Sequence, residues 1–132
     1  SQFFANVYLN ELDYHTKQRL KIKYYIRYVD DFIILNNQKE ILEFYKQKIN
    51  NFLKDKLKLE LHEDKSKIIP LHHGIRFLGF RNFYYHRLLK KSNINQIKRN
   101  LIIWNKDCNK INGWKEHASH ANSYNLLRKL NL

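Results

Sequence analysis

The sequence has a single cysteine, Cys108, among its 132 residues, and this excludes an internal disulfide framework and a multi-cysteine zinc site. It also has no apolar run of about 18 residues or more, the length that a membrane-spanning helix needs. We therefore expect a cytoplasmic protein with no membrane partner. Glycine and proline are scarce too, at three residues and one, and no glycine-serine linker or low-complexity tract divides the chain.

Acidic residues are few: 12 Asp and Glu stand against 25 Lys and Arg, a net charge of +13 with neutral histidines. Residues 85–132 hold ten basic and two acidic residues, a net charge of +8. Such an excess favours a polyanionic partner, and basic side chains mixed with aromatic ones suit a nucleic-acid backbone. The alternative is a solvated, lysine-rich helical face. The residues we expect to contact the backbone are Lys90, Lys91, Lys98 and Arg99.

Hydrophobic residues make up 43% of the chain, enough for a folded core. The spacing of apolar residues predicts helices over about 2–20 and 39–56, a β-hairpin over 23–35 and short strands over 57–89. Beyond Ser92 it predicts a helical tail that Asn112-Gly113 breaks in two. The fold class is therefore α+β, with a boundary near residue 90. Because the first residues already have the pattern of a helix interior, we expect the chain to begin partway through a larger protein.

Two adjacent carboxylates, Asp30 and Asp31, lie inside the apolar stretch from Tyr24 to Leu35. Unpaired carboxylates are costly in apolar surroundings and repel each other, whereas a divalent cation would neutralise both. Hard oxygen ligands favour Mg²⁺. An acidic β-turn without a ligand is the alternative, because Asp is common in turns. The seven histidines have no carboxylate or cysteine at a convincing ligand spacing, so we interpret them as surface or structural residues.

The segment YVDD, residues 28–31, with apolar strands on both sides resembles the catalytic hairpin of reverse transcriptases. Three further blocks resemble that family in the same order: SQFFANVYLNELD resembles the preceding helix, LELHEDKSKI a lysine-containing segment, and GIRFLGF the primer-grip hairpin. The basic tail is similar to the thumb of bacterial retron and group II intron-like enzymes. Ser1-Gln2 stands where the family has Ser-Pro, and this departure resembles the enzymes of diversity-generating retroelements.

The resemblance implies roles for particular residues. Asp30 would be a direct ligand of catalytic Mg²⁺, with Mn²⁺ able to substitute, and Asp31 its partner in the hairpin. Lys65 would lie near the incoming triphosphate, although a plain loop lysine is equally consistent with the sequence. The residues expected to contact primer or nucleotide are Gln2, Tyr28, Phe77, Leu78 and Gly79. Alternatively, Gln2 is simply a helix terminus, and the FLGF segment is simply a hairpin of the core.

The resemblance also implies the architecture and the partners. Residues 1–90 would form the distal half of a polymerase palm and residues 91–132 a helical thumb. The substrates would be an RNA template, a DNA primer and deoxynucleoside triphosphates, and a small basic accessory protein becomes an expected partner. The family supplies a further aspartate from an upstream strand that nothing in this sequence resembles. We therefore expect the chain to need an upstream fingers and palm segment, and to be inactive alone.

Two other functions are compatible with the sequence. A non-catalytic nucleic-acid-binding module could retain the polymerase hairpin as a scaffold, and its binding would survive the loss of both acids. A structural fragment recruited for protein contacts would show little salt-dependent RNA binding.

Overall fold

A computed structural model describes residues 2–103 and 108–131, without the side chains of Ile102 and Cys108. Ser1, Trp104 and the lysine and aspartate at 106 and 107 therefore lie outside the described residues. The chain divides into two compact units, Ser1–Ile68 and Ile69–Leu132. Helices and two small antiparallel sheets confirm the α+β class. The palm and thumb division near residue 90 stays a prediction.

The first unit is a helix, a β-hairpin and a second helix, as the apolar spacing predicts. Its elements are α1 (Gln2–Tyr14), β1 (Tyr24–Tyr28), β2 (Asp31–Leu35) and α2 (Lys39–Phe52). Both helices continue into a π-helical turn, over His15–Arg19 after α1 and over Leu53–Leu57 after α2. Lys58 then takes a left-handed conformation with φ of 52°, which ends the second helix.

The core of this unit forms where the two helices and the inner face of the hairpin meet. Strand residues alternate between two faces, so Tyr25, Phe32 and Ile34 pack inward while Tyr24, Ile26 and Tyr28 remain exposed. The buried side chains are Leu9, Leu12, Ile22, Ile49, Leu53 and Leu57. Among the described residues, the hairpin therefore packs through its inner face, and Tyr24, Ile26 and Tyr28 of its outer face stay exposed.

Residues 58–70 form no strand, and the predicted strands over LKLELH and KIIPL are wrong. These residues run without a strand partner, and the Leu61 amide donates instead to the Asn50 side chain on α2, at 3.3 Å. Alternating apolar residues thus mark a segment that lies along a helix. Pro70, which has no amide hydrogen, precedes a short 3₁₀ turn at Leu71–His73.

The second unit packs helices on a three-stranded antiparallel sheet in the order β3-β4-β5. Its elements are β3 (Ile75–Phe77), β4 (Phe80–Asn82), β5 (Arg87–Leu89), α3 (Lys91–Ile103), α4 (Cys108–Ser119) and α5 (Tyr124–Lys129). Phe80, Leu89 and Ala118 are buried together, with Ile94 and Trp114 packed against them. No helix in the described ranges is long and apolar enough to span a membrane.

Helix α4 runs through Gly113, so the predicted break at Asn112-Gly113 is wrong. A glycine inside a helix costs only about 1 kcal/mol relative to alanine, and packing of Trp114 and Ala118 on the sheet offsets this. Helix α4 ends at Ser119, and at 120–123 the Ala121 amide donates to the Ala118 carbonyl and the Ser123 hydroxyl donates to the same oxygen.

Candidate active site

The hairpin presents Asp30 and Asp31 at its tip, as predicted. Strands β1 and β2 pair with Tyr28 opposite Asp31, which leaves Val29 and Asp30 as a two-residue turn. Residues directly opposite in an antiparallel pair share one face of the sheet, so Tyr28 and Asp31 lie on the same, exposed face. Three of the predicted site residues are therefore brought together by the register of one hairpin.

Both carboxylates are exposed, although the segment from Tyr24 to Leu35 around them is apolar in sequence. The turn carries Asp30 out of the sheet, and Asp31 points away from the core. Within the described residues neither carboxylate has a hydrogen-bond or ion-pair partner. The pair is an open set of oxygen acceptors at the end of a hairpin that is anchored on its other face.

The turn itself is strained at Val29, which has φ of 56°. This left-handed conformation is rare for any residue with a Cβ atom and is a genuine outlier for a β-branched one. The Arg27 guanidinium holds it: Nη1 donates to the Val29 carbonyl oxygen at 2.6 Å. A strained residue persists when its surroundings fix it, and such residues cluster at functional sites.

Arg27 is in turn fixed by Asp13 at the end of α1. Its Nε donates to Oδ1 of Asp13 at 2.8 Å and its Nη2 to Oδ2 at 2.5 Å, a bidentate ion pair. Tyr25 donates its hydroxyl to Oδ1 of Asp13 at 2.6 Å, and Nη1 of Arg27 also donates to Asn6 at 3.0 Å. We call Asp13, Tyr25 and Arg27 the anchor triad; it ties the acidic turn to α1.

The hydrogen bonds within the anchor triad favour a charged Asp13, a charged Arg27 and a neutral Tyr25. Partial burial would raise the pKa of Asp13, but hydrogen bonds from Arg27 and Tyr25 outweigh it, and the pKa lies below its usual value. The hydrogen bond to Asp13 raises the pKa of Arg27. Burial, followed by the bond to Asp13, raises the pKa of the Tyr25 hydroxyl, which therefore stays a donor.

Sequence reasoning missed the anchor triad, although a signal was present. Arg27 shares the inward-facing side of β1 with Tyr25, and an arginine at such a position needs a carboxylate partner. Asp13 lies near the end of the helix that packs against that face. The identity of the partner depends on how helix and strand meet, which the spacing alone does not fix.

The exposed acid pair suits a hard divalent cation in its chemistry, because carboxylate oxygens are the ligands that Mg²⁺ prefers. It supplies only two side chains. In the described part of the chain, no group of three or more His, Cys, Asp or Glu side chains could hold a metal ion. A cation held by Asp30 and Asp31 would thus take its remaining ligands from water, from substrate phosphates or from residues outside this set.

Two predicted residues of the first unit lie outside this cluster. Lys65 is exposed in a turn over 63–65, which is closed by the Ser66 amide donating to the His62 carbonyl at 2.9 Å. Lys46 on α2 supports that turn by donating to the Ser66 carbonyl at 2.5 Å. Gln2 is the exposed first residue of α1. Within the described residues neither Lys65 nor Gln2 contacts the acids through a hydrogen bond or ion pair.

The predicted primer-grip residues form a tight hairpin in the second unit. Phe77 pairs with Phe80, so Leu78 and Gly79 are the turn, with φ of 50° and 83°. The Gly79 carbonyl accepts hydrogen bonds from the Lys90 amide at 3.0 Å and from the Asn93 side chain at 3.3 Å. A Cβ at Gly79 would lie 3.0 Å from the side-chain nitrogen of Asn93, and together with the positive φ this close contact favours glycine.

The four predicted backbone-contacting residues lie directly after β5 and on α3. Lys90 follows β5, and α3 begins at Lys91, with Lys98 seven residues later on the same helix face. All four side chains, including Arg99, are exposed. None of them forms an ion pair with a described residue.

Comparison with known proteins gives a family. The family profile described as reverse transcriptase (RNA-dependent DNA polymerase) matches residues 1–82. The Lactococcus lactis subsp. cremoris group II intron-encoded protein LtrA is 41% identical over 66 residues, which cover 49% of this chain and 11% of LtrA. Protein YkfC of Escherichia coli K12 is 38% identical over 68 residues, covering 51% of this chain and 16% of YkfC.

A third relative is the putative COX1/OXI3 intron 2 protein of Saccharomyces cerevisiae, 42% identical over 65 residues, 46% of this chain and 7% of that protein. The chain thus spans a small fraction of the length of each relative. The profile match covers more than half of this chain and includes the acidic hairpin and the Leu78-Gly79 turn. The relatives to which the chain is similar include a group II intron-encoded protein, and the chain itself belongs to the reverse transcriptase family.

Proposed function

We propose that the complete protein containing this chain is an RNA-directed DNA polymerase that extends a DNA primer on an RNA template. One observation carries the proposal: a chain of the reverse transcriptase family presents two adjacent carboxylates, which have no ion-pair or hydrogen-bond partner among the described residues, at the exposed tip of an anchored hairpin. In the reaction the primer 3′-oxygen attacks the α-phosphorus of a deoxynucleoside triphosphate. A new oxygen–phosphorus bond forms as the bond to pyrophosphate breaks.

Asp30 and Asp31 would hold Mg²⁺, with Mn²⁺ able to substitute. When bound, divalent cations lower the pKa of the primer hydroxyl and stabilise the leaving pyrophosphate. The anchor triad fixes the turn on which Asp30 lies, so its carboxylate needs little reorganisation to reach its working position. Tyr28, on the same face as Asp31, is placed in the proposal beside the primer end. Lys65 is assigned to the triphosphate, where an ammonium group would offset negative charge.

The remaining part of the proposal concerns metal ligands that the described residues do not supply. Two carboxylates leave a two-metal site short of ligands, so a further aspartate is expected from outside this sequence. On that ground the 132-residue chain by itself is proposed to be inactive.

The second unit is proposed to bind the template–primer duplex. Its Leu78-Gly79 turn would lie against the primer strand, where the absence of a side chain at Gly79 lets the backbone come close. Lys90, Lys91, Lys98 and Arg99 would contact phosphates, and such contacts read the shape of the duplex and not its sequence. The division into a palm up to residue 90 and a thumb beyond it belongs to this proposal.

Two narrower assignments stay predictions. Ser1-Gln2 favours a diversity-generating retroelement, and with it a small basic accessory protein. A cytoplasmic location rests on the single cysteine, since reducing compartments disfavour disulfide frameworks.

Primer extension by the complete protein tests the proposal. We expect incorporation of deoxynucleotides on an RNA template in Mg²⁺, weaker or altered synthesis in Mn²⁺ and none in EDTA. The 132-residue chain alone is the matched sample and is expected to add no nucleotide. If the protein binds RNA in a salt-dependent way but synthesises nothing under any metal or template condition, it is a non-catalytic nucleic-acid-binding module and not a polymerase.

A further inference from the structure

The turn between β4 and β5 exposes two adjacent aromatic rings. Asn82 pairs with Arg87, and the four residues between them include Tyr84 and Tyr85, whose exposed fractions are 75% and 91%. The two rings lie edge to face with their centroids 4.5 Å apart. Neighbouring side chains usually cover much of a tyrosine ring, so the high exposure of these two adjacent rings needs an explanation.

The turn that carries the two tyrosines is closed by a backbone hydrogen bond and packed by neighbouring rings. The Phe83 amide donates to the His86 carbonyl at 2.8 Å, and the rings of these two residues stack with centroids 4.4 Å apart. The Arg81 guanidinium carbon lies 5.0 Å from the centre of the Phe83 ring, and its Nη2 donates to the His73 carbonyl at 2.6 Å. The two tyrosines are therefore held outward by a closed and packed turn.

A second contact fixes the turn to the segment that follows α4. The Asn122 amide donates to the Arg87 carbonyl at 2.8 Å, and the Arg87 amide donates to the Asn122 side chain at 3.2 Å. Between the turn and residues 119–122 lies an open cavity of about 650 Å³, and the ten described residues that line it include no acidic one. Its polar lining includes His86, Arg87 and His120.

The charge and polarity of the residues around Tyr84 and Tyr85 indicate what kind of partner these rings would bind. The unit Ile69–Leu132 has twelve Lys and Arg and two acidic residues, a net charge of +10. An apolar protein surface would be matched by apolar neighbours, but the cavity beside the tyrosines is lined mostly by amide, imidazole, hydroxyl and guanidinium groups. Aromatic rings beside cationic side chains match a polyanion that carries flat rings.

We propose that Tyr84 and Tyr85 stack on unpaired bases of a single-stranded nucleic acid whose phosphates lie along Arg87 and His120. The proposal goes beyond the polymerase reaction, because it names a contact with bases outside the paired template and primer. It rests on the proposed function only for the presence of RNA and DNA strands. Stacking does not read the sugar, so the test includes both polymers.

Fluorescence anisotropy on the complete protein tests this, with labelled 12-nucleotide oligouridine RNA and oligothymidine DNA in EDTA and without nucleotides. We expect Tyr84→Leu with Tyr85→Leu to weaken binding at least about tenfold, since stacking contributes about 1–3 kcal/mol per base. Tyr84→Phe with Tyr85→Phe keeps both rings, and should bind within about twofold of the wild type. Tyr14→Leu, at an exposed tyrosine of the first unit, is the matched control.

Three results would overturn the proposal: unchanged binding by the leucine pair, equal losses in the leucine and phenylalanine pairs, or an equal loss on a blunt RNA–DNA duplex. Circular dichroism checks folding, and Tyr85→Leu alone replaces the pair if the double variant is unfolded. A loss on either single strand supports the proposal and identifies its occupant. Primer extension by the same proteins keeps the two ideas apart, because binding in EDTA depends on neither metal nor synthesis.

Discussion

At the scale of single residues, Val29 and Arg27 connect the fold to the proposed chemistry. A β-branched residue with φ of 56° stores strain in the turn that carries Asp30, and the Arg27 guanidinium holds its carbonyl oxygen. Neither residue would touch a substrate in the proposed reaction. Their effect is on the position of the Asp30 carboxylate, so they are positioning residues.

Arg27→Lys should therefore lower kcat for primer extension about 10–100-fold while changing the KM for nucleotide less than about threefold. Lysine keeps the charge but cannot donate to Asp13 in a bidentate manner and to Val29 as well. Arg76→Lys, at an exposed arginine of β3, is the control. If both variants retain full activity, the anchor triad does not position the turn.

A second residue-scale prediction concerns pH. His15 stacks on Phe52 with ring centroids 4.1 Å apart, and its buried Nε2 has no hydrogen-bond partner among the described residues. Burial and then the charge of Arg19 lower the pKa of His15, so the unfolded chain binds this proton more tightly than the folded one. The free energy of unfolding should fall as the pH drops from about 6.5 through the lowered pKa.

Urea denaturation at several pH values between 7.5 and 5 measures this slope. His15→Phe keeps the stacking and should flatten the slope. An unchanged slope in His15→Phe would contradict the assignment of this pH dependence to His15.

The anchor triad affects stability in a different pH range. The lowered pKa of Asp13 lies below 3.8, so stability from the anchor triad is lost only as the pH falls through that more acidic window.

At the scale of elements, the sequence predicts those whose pattern is local. The hairpin with acids at its tip, and the helices on both sides of it, follow from apolar spacing and β-branched residues, and the structure confirms them. The strands predicted over LKLELH and KIIPL are wrong. In the first of them, alternation cannot reveal that the side chain of Asn50 on a helix accepts the Leu61 amide. The break at Gly113 fails because packing of Trp114 and Ala118 outweighs helix propensity.

Substituting alanine for the glycines at 79 and 113 should change the free energy of unfolding in opposite directions. Gly79→Ala puts a Cβ 3.0 Å from the Asn93 side chain at φ of 83°, and should lower the free energy of unfolding by about 1–3 kcal/mol. Gly113→Ala meets nothing within 4 Å inside α4, and should raise it by about 1 kcal/mol.

Thermal or urea unfolding of both alanine variants beside the wild type measures these differences. A stabilising Gly79→Ala would contradict the close approach of Gly79 to Asn93 in the turn. A destabilising Gly113→Ala would contradict the continuous helix α4.

At the scale of the whole molecule, charge is divided unequally between the two units. Ser1–Ile68 holds thirteen basic and ten acidic residues, whereas Ile69–Leu132 holds twelve and two. Composition alone predicts a polyanionic partner, but the structure is needed to show that Lys91 and Lys98 are exposed on one helix. The anchor triad and the tyrosine pair escape prediction for the same reason, since both depend on where side chains point.

Lys91→Gln with Lys98→Gln should reduce the slope of log affinity against log salt concentration by about 1.4–1.8 for an RNA–DNA duplex, because each phosphate contact contributes about 0.7–0.9. Lys39→Gln with Lys54→Gln removes the same charge from residues already paired with Glu43 and Glu60, and should leave the slope nearly unchanged. Equal effects of the two pairs would show that net charge, and not the α3 face, sets the affinity.

The central claim is that Asp30 is a catalytic metal ligand, and single-turnover incorporation of one deoxynucleotide on an RNA template tests it most directly. Asp30→Asn in the complete protein should slow the Mg²⁺-dependent step at least about 1000-fold, equivalent to several kcal/mol of lost stabilisation. Template–primer binding should stay equal or tighten slightly, and Asp64→Asn, at an exposed acid in the Lys65 turn, should react normally. An Asp30→Asn protein that incorporates the nucleotide at the wild-type rate would contradict the account.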